Sequence, residues 1–255
     1  MFDSIARAIP LAVPETGDFV PIQNTPESDE VTAVVTAVRD GLAALADPRS
    51  APAMQRYMKS DMPFRGVRTP QRRGLARRIT RELPFRDRNT WLQTVLRLWD
   101  DATYREERYV AIDLTGHRAV AHWQAPDLLP LYEHLIVTGA WWDFVDEIAI
   151  NRIGPLLRQH FATVAPVLRH WAHAPDPWKR RAALLSQNAS GASTDPALLN
   201  DCIEANLDEP SFFLRKAIGW ALRQYARTDT RWVEDFVADH PGLSPLSRKE
   251  ALRRR

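Results

Sequence analysis

The sequence predicts an all-α fold in which helices stack on one another as a solenoid. Apolar residues recur with the 3.6-residue period of a helix along almost the whole chain, and no segment alternates polar and apolar residues as a half-buried strand does. Residues that favour helix, such as Ala, Leu, Arg and Glu, are abundant, whereas only 10 glycines are available for tight turns. These observations argue against a sheet-rich fold.

The predicted helices are separated by short joints that carry proline or a capping residue. The first helix begins at "TPESDE", where Thr25 or Ser28 is the cap, Pro26 takes an early position and acidic residues fill the first turn. Later joints are "DLLPLY", "APDPW", "DEPSFF" and "GLSPLS". Residues 1–25 are expected to form an irregular extension, and residues 26–255 a single domain of helical repeats. The predicted helices span 27–46, 50–59, 70–82, 88–100, 103–116, 127–138, 141–151, 154–160, 163–172, 177–189, 195–206, 210–227, 230–239 and 244–254.

Several helices resemble one another at a nearly constant interval. "WKRRAALL" at 178–185 aligns with "FLRKAIGW" at 213–220, an offset of 35 residues, and Tyr104, Trp141 and Trp178 open helices 37 residues apart. Degenerate helix pairs of this period are typical of a right-handed α-solenoid of HEAT-like repeats. Such a solenoid lines a concave surface with one helix from each pair.

Charge is distributed unevenly along the chain. The net charge is only +2, but the stretch from Arg56 to Arg88 contains eleven Lys/Arg and three Asp/Glu, a local charge of +8. "SRKEALRRR" near the C-terminus adds five basic residues and one acidic residue. Positive patches on a nearly neutral chain favour a surface that binds a polyanion, with solvated helix faces as the alternative.

The composition also excludes several kinds of site. The single cysteine, Cys202, excludes a disulfide framework and a cysteine-based zinc site, and it suits a reducing compartment. The seven histidines show no HExxH-type spacing. The first residues do not resemble a signal peptide, because they lack a basic region and Pro10 and Pro14 interrupt their short apolar run. No apolar stretch of the sequence is long enough to span a membrane. We therefore expect a cytoplasmic protein of bacterial type, without metal, cofactor or membrane partner.

Three segments resemble the DNA alkylation repair glycosylases with HEAT-like repeats, the group typified by alkylpurine DNA glycosylase D. They are "MQRYMKSDMPFRGVRTPQRR" at 54–73, "WWDFVDEIAINRIG" at 141–154 and "FFLRKAIGWALRQYARTDTRWV" at 212–233, followed by "LSPLSRKEALR" at 243–253. They occur in the family's order and at about its spacing. The resemblance covers the chain from about residue 30 to the end.

This resemblance implies an α-solenoid that holds duplex DNA in its concave face. It implies hydrolysis of the N-glycosidic bond of N3- or N7-alkylated purines, without the base extrusion usual for glycosylases. On this match the catalytic carboxylate falls on Asp113, and the family's arginine after the WWD helix falls on Arg152. A monomer bound to double-stranded DNA of the nucleoid is expected.

The chemistry of such a reaction fits a site with few functional groups. An alkylated purine carries positive charge and is already a good leaving group, so no general acid is needed. A carboxylate directed at the sugar stabilises the oxocarbenium-like transition state and positions a water molecule. Neither a metal nor a nucleophilic Ser or Cys is required.

The remaining candidate residues divide into cleft and phosphate-binding groups. Tyr109 lies one helical turn before Asp113 and offers an aromatic face to a cationic base, although the family has tryptophan on both sides of the lesion. Trp142 and Trp178 are the other cleft candidates, whereas Trp99, Trp220 and Trp232 are expected to pack between repeats. For each residue, a place in the core or on a solvated face is the alternative. The expected phosphate ligands are Arg65, Arg68, Arg72, Arg73, Arg77, Arg152, Arg181, Arg215 and Lys216.

Two other functions remain open at this point. A protein of the same fold can bind damaged, bent or branched DNA without excising a base, and the tyrosine at position 109 favours that alternative. A helical-repeat scaffold for a protein partner is a further possibility. The basic stretch favours DNA over the scaffold.

Overall fold

The computed structural model describes residues 29–253, and within that range the chain is all-helical with no β-strand, as predicted. The predicted extension 1–25 and the predicted domain start at residue 26 lie outside the described residues. The α-helices are α1 Asp29–Ala44, α2 Ala51–Met58, α3 Thr69–Glu82, α4 Arg88–Asp100, α5 Arg105–Thr115, α6 Leu129–Gly139, α7 Trp142–Ile148, α8 Gly154–Gln159, α9 Phe161–Ala172, α10 Pro177–Leu185, α11 Pro196–Glu204, α12 Phe212–Tyr225, α13 Thr230–Asp239 and α14 Pro245–Ala251.

Side-chain caps explain where many of these helices begin. The carboxylate of Asp87 accepts a hydrogen bond from the Thr90 amide at 2.8 Å at the start of α4. Asp176 accepts from the amides of Trp178 and Lys179 at the start of α10, at 2.8 and 2.9 Å. These oxygens satisfy amide groups that have no partner inside the helix, which fixes the helix starts.

One region differs from the predicted helix boundaries. The predicted helices 141–151 and 154–160 form a continuous helical path, because a π-helical segment, Ala149–Ile153, connects α7 to α8. The wider turn of a π-helix inserts an extra residue into the helix and is common at functional sites. Arg152 lies within this segment.

Six helices form a row in which each packs against the next: α3, α5, α7, α10, α12 and α14. Helices such as α1, α4, α6, α9 and α13 cover the row from other directions. This arrangement is consistent with an α-solenoid, in which each unit contacts its neighbours. Trp91, Trp99 and Trp171 are fully buried, and Trp99 therefore packs in the core as predicted.

Ion pairs connect the successive helices of this row. Arg105 on α5 binds Asp143 on α7 at 2.8 Å. Arg181 on α10 binds Asp146 on α7 at 2.6 Å. Lys216 on α12 binds Glu250 on α14 at 2.7 Å. Basic side chains thus serve partly to join neighbouring helices of the row.

Candidate functional site

One cleft in the described residues is strongly basic. Its volume is about 1040 Å³, and it runs from α3 across the end of α5 and the loop that follows to α7 and α8. Two carboxylates, those of Asp113 and Glu147, also line it. The arginines of this basic cleft are Arg73, Arg77, Arg81, Arg118, Arg152 and Arg158. Such an excess of guanidinium groups suits a phosphate backbone.

An aromatic cavity of about 430 Å³ adjoins the basic cleft. The two share Arg73, Asp113, Glu147, Ile150 and Asn151. The aromatic and methionine side chains of the aromatic cavity are Met54, Tyr57, Met58, Phe64, Tyr109, Trp142 and Trp220. Its carboxylates are Asp113, Asp143, Asp146 and Glu147. Flat aromatic faces beside negative charge form a site suited to a flat cation.

Asp146 lies one helical turn after Trp142 on α7, so both side chains lie on one face of that helix. Its carboxylate receives two hydrogen bonds from Arg181, Nε to Oδ1 at 2.6 Å and Nη2 to Oδ2 at 2.8 Å. Burial raises the pKa of Asp146 above 3.8 even though the Arg181 hydrogen bonds oppose the shift. The negative charge is therefore less stabilised than in water, and a nearby cation would stabilise it.

Arg181 itself is buried, with 5% of its side chain exposed. Besides Asp146 it binds the carbonyl oxygen of Phe213 at 2.5 Å through Nη1. The structure thus assigns Arg181 to the support of Asp146 and not to direct phosphate contact, in contrast to the expectation from the sequence.

Asp113 lies where the two cavities meet, and two arginines neutralise it. Arg72 donates to its carboxylate at 2.7 and 3.4 Å, and Arg73 donates at 3.3 Å. Arg72 is buried by this contact, with 9% of its side chain exposed. Arg72 is therefore not available to a phosphate in this arrangement, whereas Arg73 is half exposed.

Tyr109 forms part of the floor of the aromatic cavity. Its hydroxyl donates to Asp143 at 2.5 Å and accepts from Arg105 at 3.0 Å, and its ring packs against Phe64 and Phe144. Burial, assisted by the charge of Asp143, raises the pKa of Tyr109 well above its ordinary value. The tyrosine thus has a hydrogen-bonding role that a tryptophan at this position would not reproduce.

Arg152 is held at the C-terminal end of α5. Its Nε donates to Thr115 Oγ1 at 2.9 Å, and its Nη2 donates to the Ile112 carbonyl at 3.4 Å and to Glu147 Oε1 at 3.2 Å. Nη1 donates to the Asn151 carbonyl at 2.8 Å. The guanidinium is positioned in the basic cleft, but most of its donors are occupied.

The other predicted residues divide between the cleft and other places. Arg68 and Arg77 are exposed, and Arg77 lines the basic cleft. Arg65 stacks on the Tyr104 ring at 3.9 Å, and Arg215 donates to the Glu209 carbonyl at 2.8 Å. Lys216 binds Glu250, as described above.

The structure brings Trp142, but not Trp178, into the aromatic cavity. Trp178 packs against Trp141 and Phe213, with ring centroids 5.9 and 5.2 Å away. Trp220, predicted to pack between repeats, is partly buried against the hydrophobic core and also lines the aromatic cavity. Trp232 packs against Tyr225 and Phe236.

The cavities are also lined by residues that were not predicted from the sequence, namely Asp146, Glu147, Trp220, Arg81, Arg118 and Arg158. The sequence does contain a pattern that indicates Asp146. In "WWDFVDE" the second Trp and second Asp are four residues apart, which places an aromatic and a carboxylate on one helical face. No comparable local pattern identifies Trp220.

No group of three or more His, Cys, Asp or Glu side chains in residues 29–253 is arranged to hold a metal ion. None of the helices that the structure describes is long and apolar enough to cross a membrane.

Two comparisons with known proteins point to the same family. Residues 38–254 match the family model described as DNA alkylation repair enzyme. Among solved structures, a protein from Enterococcus faecalis described as a predicted DNA alkylation repair enzyme is 30% identical, with a TM-score of 0.73. The match covers 81% of this chain and 94% of that chain. No curated protein sequence matches the chain.

Proposed function

Because the chain belongs to the DNA alkylation repair enzyme family, we propose that it is a DNA glycosylase that removes cationic N3- or N7-alkylated purines from duplex DNA. The observation that carries this proposal is the aromatic cavity, in which Trp142 and Trp220 accompany a buried carboxylate, beside the basic cleft. The aromatic faces would contact the alkylated base, and the basic cleft would contact the backbone.

We assign the catalytic carboxylate to Asp146 and not to Asp113. Asp146 is one turn from Trp142, and its raised pKa indicates a negative charge that an approaching cation stabilises. Asp146 pairs with one arginine, Arg181, whereas Asp113 pairs with both Arg72 and Arg73, so more of the Asp113 charge is compensated. A carboxylate that stabilises an oxocarbenium-like sugar is more effective when less of its charge is already matched.

In the proposed reaction the C–N bond breaks as the alkylpurine leaves with the bonding electron pair. The positive charge that develops on the sugar is stabilised by the carboxylate of Asp146, which Arg181 holds in one orientation. Water adds to the sugar carbon and gives up a proton. Because the purine is already cationic, it departs as a neutral base without a general acid. We propose that the base is not extruded from the duplex and that a monomer suffices, since one chain supplies all these groups.

The second candidate is binding of damaged or bent DNA without excision. It is favoured by one observation: each carboxylate that lines the aromatic cavity is already paired with arginine. The pairs are Asp113 with Arg72 and Arg73, Asp143 with Arg105, Asp146 with Arg181, and Glu147 with Arg152.

The test is base release from duplex DNA that carries one N7-methylguanine, with enzyme in excess. We expect release by the wild-type protein and a loss of about 100-fold or more in Asp146→Asn, because one electrostatic stabiliser of the transition state has been removed. Asp113→Asn is the matched comparison, and its single-turnover rate should stay within about tenfold of wild type, since it removes no group assigned to the sugar.

The outcomes separate the alternatives. Loss in Asp113→Asn with retention in Asp146→Asn would return the catalytic role to Asp113. Absence of release by the wild-type protein, with duplex binding intact, would leave the non-catalytic binder.

A further inference from the structure

Glu147 occupies a position between the two arginines best placed to hold a phosphate. Its Oε1 accepts from Arg152 at 3.2 Å, and its Oε2 lies 3.7 Å from Arg73. Asn151 also donates to Oε2 at 3.0 Å. The carboxylate is 27% exposed and lines both the basic cleft and the aromatic cavity. It therefore stands at the point where the backbone beside a bound lesion would pass.

The other hydrogen bonds of Arg152 show why its contact with Glu147 bears on ligand binding. Its Nε and one N–H of Nη1 bind Thr115 and the Asn151 carbonyl, and Nη2 is divided between the Ile112 carbonyl and Glu147. Four of the five guanidinium N–H groups are engaged in these bonds, and Glu147 is the charged partner among them, so an anionic ligand would replace the bond to Glu147. Only 13% of the Arg152 side chain is exposed.

Arg73 is in a similar situation. It donates to Asp113 through Nε and approaches Glu147 through Nη2, while 47% of its side chain remains exposed. Asp113 is buried and bound to Arg72 as well, so Glu147 is the more accessible of its two acidic neighbours. Both arginines thus share one exposed anionic partner.

We propose that Glu147 is an internal competitor for a DNA phosphate: in the free protein its carboxylate takes the place of a phosphate group between Arg73 and Arg152, and binding DNA requires that it move aside. The inference rests on DNA as the substrate, which the family gives, but not on base excision. The functional consequence is weaker binding to duplex DNA, damaged or undamaged, because either one must displace Glu147. Glu147 is therefore a residue that sets the affinity for the DNA backbone and not the difference in affinity between damaged and undamaged duplex.

The test is the affinity of Glu147→Gln for an undamaged duplex, measured as a function of salt. Gln keeps the shape and an acceptor oxygen but removes the charge. We expect binding about three- to tenfold tighter than wild type, with a steeper fall in log K against log salt by about 0.9, as for one additional neutralised phosphate. The preference for duplex with N7-methylguanine over undamaged duplex should stay the same, because both duplexes displace Glu147.

Two controls identify the cause. Glu204→Gln removes the same charge from α11, where Glu204 pairs with His240, and it should leave DNA affinity nearly unchanged. The gain in affinity from Glu147→Gln should disappear in the Arg152→Ala background if it acts through Arg152.

Unchanged or weaker binding by Glu147→Gln, with unfolding stability like that of wild type, would overturn the proposal and make Glu147 a structural support of Arg152. A protein that binds DNA as predicted here but releases no base would refute the proposed function and leave this inference intact.

Discussion

Asp146 and Arg181 form a buried bidentate ion pair, with Nε–Oδ1 and Nη2–Oδ2 distances of 2.6 and 2.8 Å. The same guanidinium binds the carbonyl of Phe213, so it joins α7 and α10 to the start of α12. One arginine thus both orients the proposed catalytic carboxylate and fixes three helices of the row relative to one another.

Removing Arg181 alone should destabilise the protein. Arg181→Met leaves the Asp146 carboxylate buried without its partner, and we expect a loss of about 3–5 kcal/mol in the free energy of unfolding. Urea denaturation followed by circular dichroism measures this loss. The double variant Asp146→Asn/Arg181→Met removes the buried charge as well and should recover part of it. A single variant as stable as wild type would contradict the importance assigned to this pair.

Base release should depend on the ionisation of Asp146. Burial raises the pKa of this carboxyl above 3.8, and only the deprotonated form stabilises a developing cation. Activity should therefore be complete at higher pH and fall as pH decreases through this raised pKa, at a pH above that of an ordinary aspartate. Single-turnover rates between pH 4 and 8, with DNA binding measured in parallel, test this. A rate that stays constant down to about pH 4 would argue against it.

The two cavity tryptophans should contribute to recognition of the lesion. Trp142→Ala and Trp220→Ala each remove an aromatic face, and a cation–π contact with the cationic nucleotide is worth about 0.5–2 kcal/mol, or roughly two- to thirtyfold in affinity. We expect this loss for duplex with N7-methylguanine and a smaller one for undamaged duplex. Trp178→Ala is the matched control, since Trp178 packs against Trp141 and Phe213, and it should affect unfolding more than discrimination.

Arginines of the basic cleft should account for the salt dependence of DNA binding. Arg77→Ala and Arg118→Ala each remove one potential phosphate contact, so the slope of log K against log salt should become shallower by about 0.9 in each. Arg231, on α13, is 92% exposed and pairs with Asp235. Equal effects of Arg231→Ala and the cleft variants would indicate a general charge effect instead of a defined binding surface.

Glu250 should couple stability to pH at the C-terminal end of the row. Hydrogen bonds from Lys216, and then from Arg223, lower the pKa of this carboxyl below 4.5. A carboxyl with a lowered folded-state pKa contributes stability above its unfolded pKa and loses it as pH falls through the folded value. Between pH 5 and 3 the wild-type protein should therefore lose more stability than Glu250→Gln. Parallel pH dependences of the two unfolding free energies would contradict this.

Much of the fold was accessible from the sequence because its causes are local. Helical periodicity, prolines at joints and aspartate caps act over a few residues, and they predicted fourteen helices where the structure has fourteen between residues 29 and 253. The π-helical segment Ala149–Ile153 was not predicted.

The site depended on information that the sequence alone does not contain. Trp142 and Trp220 are 78 residues apart in the sequence and line the same cavity, because α7 packs against α10 and α10 against α12. Arg181 and Arg77 are both arginines on helices of the row, yet one is buried against Asp146 and the other lines the basic cleft.

The sequence by itself determined the all-α class, the helix positions, the basic stretch and the resemblance that the family match confirms. The tertiary structure decided which arginines are free to meet a phosphate, which carboxylates are neutralised and which tryptophans share a cavity. The physical reason is that helix formation is governed by neighbours along the chain, whereas the charge state and exposure of a side chain are governed by the helices packed against it.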